Sequence, residues 1–102
     1  MFEEVHIEIG SAPEVSPFGS FVGHLRHRYR LSSATTQAWE QMLVDRFDAA
    51  IAPDQITASV FVWGNTLDLM CSANDFDYCF DRLLKTIEVT NRDYSTSQRG
   101  NL

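Results

Sequence analysis

The sequence predicts an α+β fold: a ββαββα two-layer sandwich, with a four-stranded, mainly antiparallel sheet and two helices on one of its faces. Three observations predict it. Hydrophobicity alternates with period two near the start of the chain and again in "FVGHLRHRYRL". It switches to a helical period over two longer stretches. Between those stretches, "QITASVFVWGNTLDLMCS" reads as two strands around a tight turn.

Residues 2–9, "FEEVHIEI", put Val5, Ile7 and Ile9 on one side and Glu4, His6 and Glu8 on the other, the pattern of a half-buried strand. "GSAPEVSPFGS" (10–20) holds two glycines, two prolines and three serines and reads as a loop, long for a hairpin connection. Residues 21–31 alternate again. Phe21, Leu25, Tyr29 and Leu31 share one face with Gly23 and His27; Val22, His24, Arg26, Arg28 and Arg30 share the other.

Over residues 32–52 the period becomes helical, with Trp39, Met42, Leu43, Phe47, Ala50 and Ile51 on one stripe. Ser32, Ser33 or Thr36 supplies an N-cap, and Pro53 opposes continuation. A two-residue turn at Gly64-Asn65 then sets Trp63 opposite Thr66, Phe61 opposite Asp68 and Ser59 opposite Met70. On the other face it matches Val62 with Leu67, Val60 with Leu69 and Ala58 with Cys71. That second set is wholly apolar, so register and burial agree. In the last helix, 72–89, Phe76, Cys79, Phe80, Leu83, Leu84 and Ile87 form the stripe. Asn74 is its expected N-cap, and Asp75 and Asp77 sit at the positive end of the dipole. Residues 1–89 are read as one domain and 90–102 as a polar, aperiodic C-terminal tail.

With 102 residues, the chain suits one core. Its net charge of −6 repels nucleic acid and anionic membranes at long range. No run of 18 apolar residues occurs, "MFEEVHIEIG" lacks the pattern of a signal peptide, and no lipidation motif is present. The two cysteines are too few for a disulfide framework, so a cytoplasmic location with reduced thiols is expected and no membrane partner.

If both helices cover one sheet face, the other displays Glu4, His6, Glu8, His24, Arg26, Arg28, Arg30, Phe61, Trp63, Asp68 and Met70. Two accounts of the arginines compete. Glu4 and Glu8, on a paired first strand, would lie across from two of the three and balance them at roughly 0.2–1 kcal/mol per pair. Alternatively the stripe binds a ligand, and the count leaves one arginine over. Phe61 and Trp63 are open to cover by the C-terminal tail folding back, by a second copy of the chain or by a foreign partner; a protein contact is favoured, since large exposed aromatics mark contact surfaces.

No cofactor is implied. His24 and His27 fall on opposite faces of a strand, so they do not chelate together; His6, His24 and a glutamate form the one conceivable metal set, without any HExxH or CxxC spacing. His27, on the apolar face, reads as a core histidine with a satisfied hydrogen bond. Cys71 and Cys79 read as buried, and Asp75, Asp77 and Asp81 oppose a thiolate nearby. There is no glycine-rich phosphate loop and no GxSxG elbow. The sequence therefore predicts a non-catalytic protein-interaction module, of the regulator, inhibitor or immunity-protein kind. It binds a protein partner or a second copy as a homodimer, through His24, Arg26, Arg28, Arg30, Phe61 and Trp63. Single-stranded nucleic acid or a phosphorylated ligand on the same face is the alternative, and a small enzyme a more distant one.

Overall fold

A computed structural model of the chain describes residues 4–8, 13–17 and 23–100. Four antiparallel strands form one sheet: β1 (Glu14–Pro17), β2 (His24–Arg30), β3 (Ser59–Trp63) and β4 (Thr66–Ser72), in the order β1-β2-β4-β3. Helices α1 (Gln37–Ile51) and α2 (Phe76–Gly100) complete the ββαββα order. The core lies between the layers, where Tyr29, Val60, Leu67, Leu69 and Cys71 of the sheet meet Trp39, Leu43 and Phe47 of α1 and Cys79, Leu83 and Ile87 of α2. Each large aliphatic or aromatic side chain so buried contributes about 1.5–3 kcal/mol.

The β3–β4 hairpin has the expected register from Ser59↔Met70 to Trp63↔Thr66. Its pairing begins at Ser59, so Ala58 and Cys71 are not partners in it. Gly64 takes a φ of +60° at the first central position, as a type II′ turn requires. The turn is anchored from outside, since Leu31 N–H donates to Asn65 O at 2.7 Å and Thr35 N–H to Gly64 O at 2.9 Å. A Cβ on Gly64 would meet no atom within 4 Å. Gly64→Ala should therefore cost only the left-handed backbone penalty, about 1–2 kcal/mol, read as a lower urea midpoint with an unchanged slope.

The start of the chain corrects one expectation. The first strand is not residues 2–9 but Glu14–Pro17, inside the stretch read as a loop. It pairs with β2 from Glu14↔Arg28 to Pro17↔Leu25. Residues 4–8 keep the expected alternation, with Val5 buried and Glu4, His6 and Glu8 exposed, but contribute only a bridge between Ile7 and Leu31. The expected placements of Ile9, Phe21 and Val22 lie outside the described residues.

Thr36 caps α1, its hydroxyl accepting from Trp39 N–H at 3.2 Å. Ser72, not Asn74, caps the approach to α2, accepting from Asp75 N–H at 3.3 Å. Beyond Val89, where the expected helix ends, α2 continues through the segment read as a tail, to Gly100. Thr90, Asn91 and Tyr94 carry the buried stripe onward. Thr90 spends its hydroxyl on Thr86 O, at 2.7 Å, and Arg46 of α1 bridges to Asp93 at 2.9 Å. No helix among the described residues is long and apolar enough to cross a membrane.

Candidate interaction surface

The sheet face away from the helices is organised in rows by the β2–β4 and β4–β3 registers. Arg30, Thr66 and Trp63 form one row; Arg28, Asp68 and Phe61 the next; Arg26, Met70 and Ser59 the third; His24 and Ser72 the last. Four of the six expected site residues, Arg28, Arg30, Phe61 and Trp63, thus meet at the end nearest the Gly64-Asn65 turn. Arg26 stands one row away. His24, six residues from Arg30, lies about 20 Å off at the strand rise of 3.3 Å, and the structure does not bring it to the aromatics.

Phe61 is 59 % exposed and Trp63 47 %. The ring of Trp63 is not loose: the Arg28 guanidinium carbon lies 5.1 Å from its centroid, a cation–π contact. Asp68 fixes that guanidinium by two bonds, from Arg28 Nε to Oδ1 at 2.9 Å and from Nη2 to Oδ2 at 3.1 Å. The hydrogen bond to Asp68 raises the pKa of Arg28 above its ordinary value, with a further contribution from the charge of Glu14. Arg26 Nε lies 4.0 Å from the same carboxylate. Asp68 is only 3 % exposed, so the charge at the centre of the face is covered by the side chains it holds.

Glutamates of the chain stand opposite two of the three arginines in register. Glu14 stands opposite Arg28 in the β1–β2 register. Glu8 N–H donates to Arg30 O at 2.9 Å, and with Ile7 bridged to Leu31 this puts Glu8 across from Arg30. Of the two glutamates expected to face arginines, Glu8 does so. Glu4 instead lies 3.1 Å from His6. Sequence reasoning missed Asp68 and Glu14 in this role. Finding Asp68 needed the adjacency of β2 and β4, which no local pattern encodes. Met70, expected on the open face, is on it but buried, at 3 % exposure.

The remaining groups are quiet. His27 is buried against Phe76, ring centroids 4.2 Å apart, and burial lowers its pKa against a weaker upward pull from the Leu69 backbone; its buried Nδ1 has no hydrogen-bond partner among the described residues, where a satisfied one was expected. Burial raises both thiols, Cys71 to about 12. Among the described residues no three of His, Cys, Asp or Glu come together in a way that could hold a metal ion. A shallow cavity of about 320 Å³ beside the stripe is lined by Glu14, Val15, Ser16, Arg26 and Arg28. No family model, curated protein or solved structure matches this chain.

Proposed function

We propose that the protein is a small non-catalytic interaction module, cytoplasmic, of the regulator or inhibitor kind, and that it contacts another protein chain through the turn-proximal end of its open sheet face. The observation that carries this reading is the pair of neighbouring exposed aromatics, Phe61 and Trp63, one of them held in place by a guanidinium that is itself anchored. A rigid aromatic pair with a polar surround is the usual centre of a protein contact. The pairing of Arg26 and Arg28 with Asp68 weighs against a phosphate backbone as the ligand, because both cations would have to leave that carboxylate first.

Contact by the face is favoured over strand addition at the edge. A two-residue turn bonds Trp63, Phe61 and Ser59 to β4, which leaves the backbone groups of Val60 and Val62 on the outer side of β3. Val60 is 2 % exposed, so mid-strand there is no open edge for another strand to join.

The double variant Phe61→Ala plus Trp63→Ala should fold, with a thermal midpoint within a few degrees of wild type, since exposed substitutions usually stay within about 0.5 kcal/mol. Light scattering should show association of the parent chain and none of the variant. Unfolding of the variant would place these rings in the core and end the site assignment. Salt-sensitive binding of wild type to an oligonucleotide would favour the nucleic-acid reading instead.

A further inference from the structure

One imidazole sits at the rim of the core in a setting that admits no second proton. His27 lies on the helix side of β2, between Val15 of β1 and Leu69 of β4, and its ring packs on Phe76 of α2 with centroids 4.2 Å apart. It is 7 % exposed, and its Nδ1 is buried with no hydrogen-bond partner among the described residues. A neutral ring leaves only a lone pair unmet there. An imidazolium leaves a charged N–H without an acceptor, which costs far more.

The charged groups on the surrounding elements do not supply that acceptor. Arg26 and Arg28, the neighbours of His27 on β2, lie on the opposite sheet face, as does Asp68 beside Leu69, whose carboxylate is held by Arg28. Glu14, beside Val15, shares that opposite face with Arg28. At the start of α2, Asp75 accepts from the Ser72 hydroxyl at 2.8 Å, Asp77 is exposed, and Asp81 is exposed and lies 3.1 Å from Lys85. Tyr29, Cys71 and Cys79, on the helix side with His27, stay neutral at and below pH 7, because burial raises all three.

The two halves of α2 are secured differently. The C-terminal half is bonded to α1 and its cap, through Trp39 Nε1–H to Asn91 at 3.0 Å, Thr36 to Tyr94 at 3.1 Å and Arg46 to Asp93 at 2.9 Å. The first turns meet the sheet through ring contacts, Phe76 on His27 and Phe80 on Tyr29. Their bond from Tyr78 O–H to Asp54 is at the exposed surface. Beside them an apolar groove of about 490 Å³ runs along Tyr29, Phe76, Phe80 and Leu84, and Val15 is 53 % exposed, so solvent already borders this seam. We propose that His27 makes the seam acid-sensitive: its protonation releases the first turns of α2 from the sheet and opens the groove, while the C-terminal half stays bonded.

Burial lowers the pKa of His27 from its ordinary 6.5, and the released ring regains that value. The stabilisation from the neutral ring is therefore complete above pH 6.5 and is lost as pH falls from there towards the folded value. Within that window the opening equilibrium gains up to about tenfold per pH unit. This device is separate from the Phe61–Trp63 surface and does not rest on it.

Amide hydrogen exchange of the wild-type full chain, corrected for the intrinsic rate at each pH, reads the opening. Protection of Phe80–Leu84 should fall several-fold between about pH 7 and about pH 5.5, while that of Ile87–Tyr94 holds. The variant His27→Gln, neutral throughout, should abolish the fall. Should that variant not fold, the imidazole of the wild-type chain, followed by NMR, should titrate with a midpoint below 6.5. Protection that is flat with pH, that falls equally in both halves of α2, or that falls as much in His27→Gln overturns the proposal. So does a titration of His27 at or above 6.5.

Discussion

Asn91→Ala should remove roughly 3–6 kcal/mol of stability, the largest loss expected from any single polar substitution in this chain. The reason is that one amide satisfies three buried groups. Its Oδ1 accepts from Val5 N–H at 3.1 Å and from Trp39 Nε1–H at 3.0 Å, while Nδ2 donates to Val5 O at 2.8 Å. Trp39 is fully buried, and Val5 and Asn91 nearly so, so water does not replace the lost partner without opening the packing. A buried donor or acceptor left unmade costs about 1–3 kcal/mol. Three of them approach the whole stability of a typical domain, about 5–15 kcal/mol. Urea denaturation followed by far-UV circular dichroism would read the loss as a collapse of the midpoint. Trp39→Phe deletes only one of the three bonds and keeps the ring packed, so it should cost less than half as much. If both variants lost under 1 kcal/mol, the amide would not be the lock that joins the N-terminal segment, α1 and α2.

Asn91 also shows where the sequence was legible and where it was not. The hairpin could be read residue by residue, because a glycine-led turn fixes register and the Val60, Val62, Leu67 and Leu69 face is apolar throughout. Helix α1 was visible for the same kind of reason, with Trp39, Leu43, Phe47 and Ile51 all apolar and all buried. The last turns of α2 were hidden because the buried stripe changes chemistry: after Leu83 and Ile87 it continues as Thr90, Asn91 and Tyr94. A hydrophobic-period rule ends the helix where the side chains turn polar, though they are buried and bonded. Strand β1 was hidden by Pro13 and Pro17, which read as loop punctuation. On an outer strand Pro17 is tolerated, since its missing N–H falls on the side that has no neighbour. At the surface, alternation was enough to put Phe61, Trp63 and three arginines on one face. It could not show that Asp68 sits between Arg28 and Phe61, because that follows from strand order, a long-range property.

Above pH 9 the folded state should lose stability steeply, and the cause is buried acids that hold their protons. Cys71 is pushed up to about 12, first by burial and then by the adjacent Cys79. Burial also raises Cys79, against a smaller downward effect of the hydrogen bond from Cys71. Tyr29 is pushed up to about 12, again by burial first. These groups are neutral when protonated, and the unfolded chain releases them near 9 for the thiols and 10 for the phenol. Their contribution is therefore complete below pH 9 and is lost as pH rises towards 12. Each group that keeps its proton only in the folded state removes about 1.4 kcal/mol per pH unit. By pH 11, Cys71 and Tyr29 together account for a loss of about 4 kcal/mol, to which Cys79 adds. Urea midpoints measured at pH 8, 9.5 and 11 should fall accordingly. The double variant Cys71→Ala plus Cys79→Ala should start lower, from lost packing, and decline less steeply between pH 9 and 10, where the thiols contribute most of the difference. Thiolate absorbance near 240 nm should stay absent from the native protein at pH 10 and appear on unfolding. Thiols that titrated near pH 9 in the native state, with stability unchanged, would mean that solvent reaches them; it is their exclusion from solvent that denies them a nucleophile's role at neutral pH.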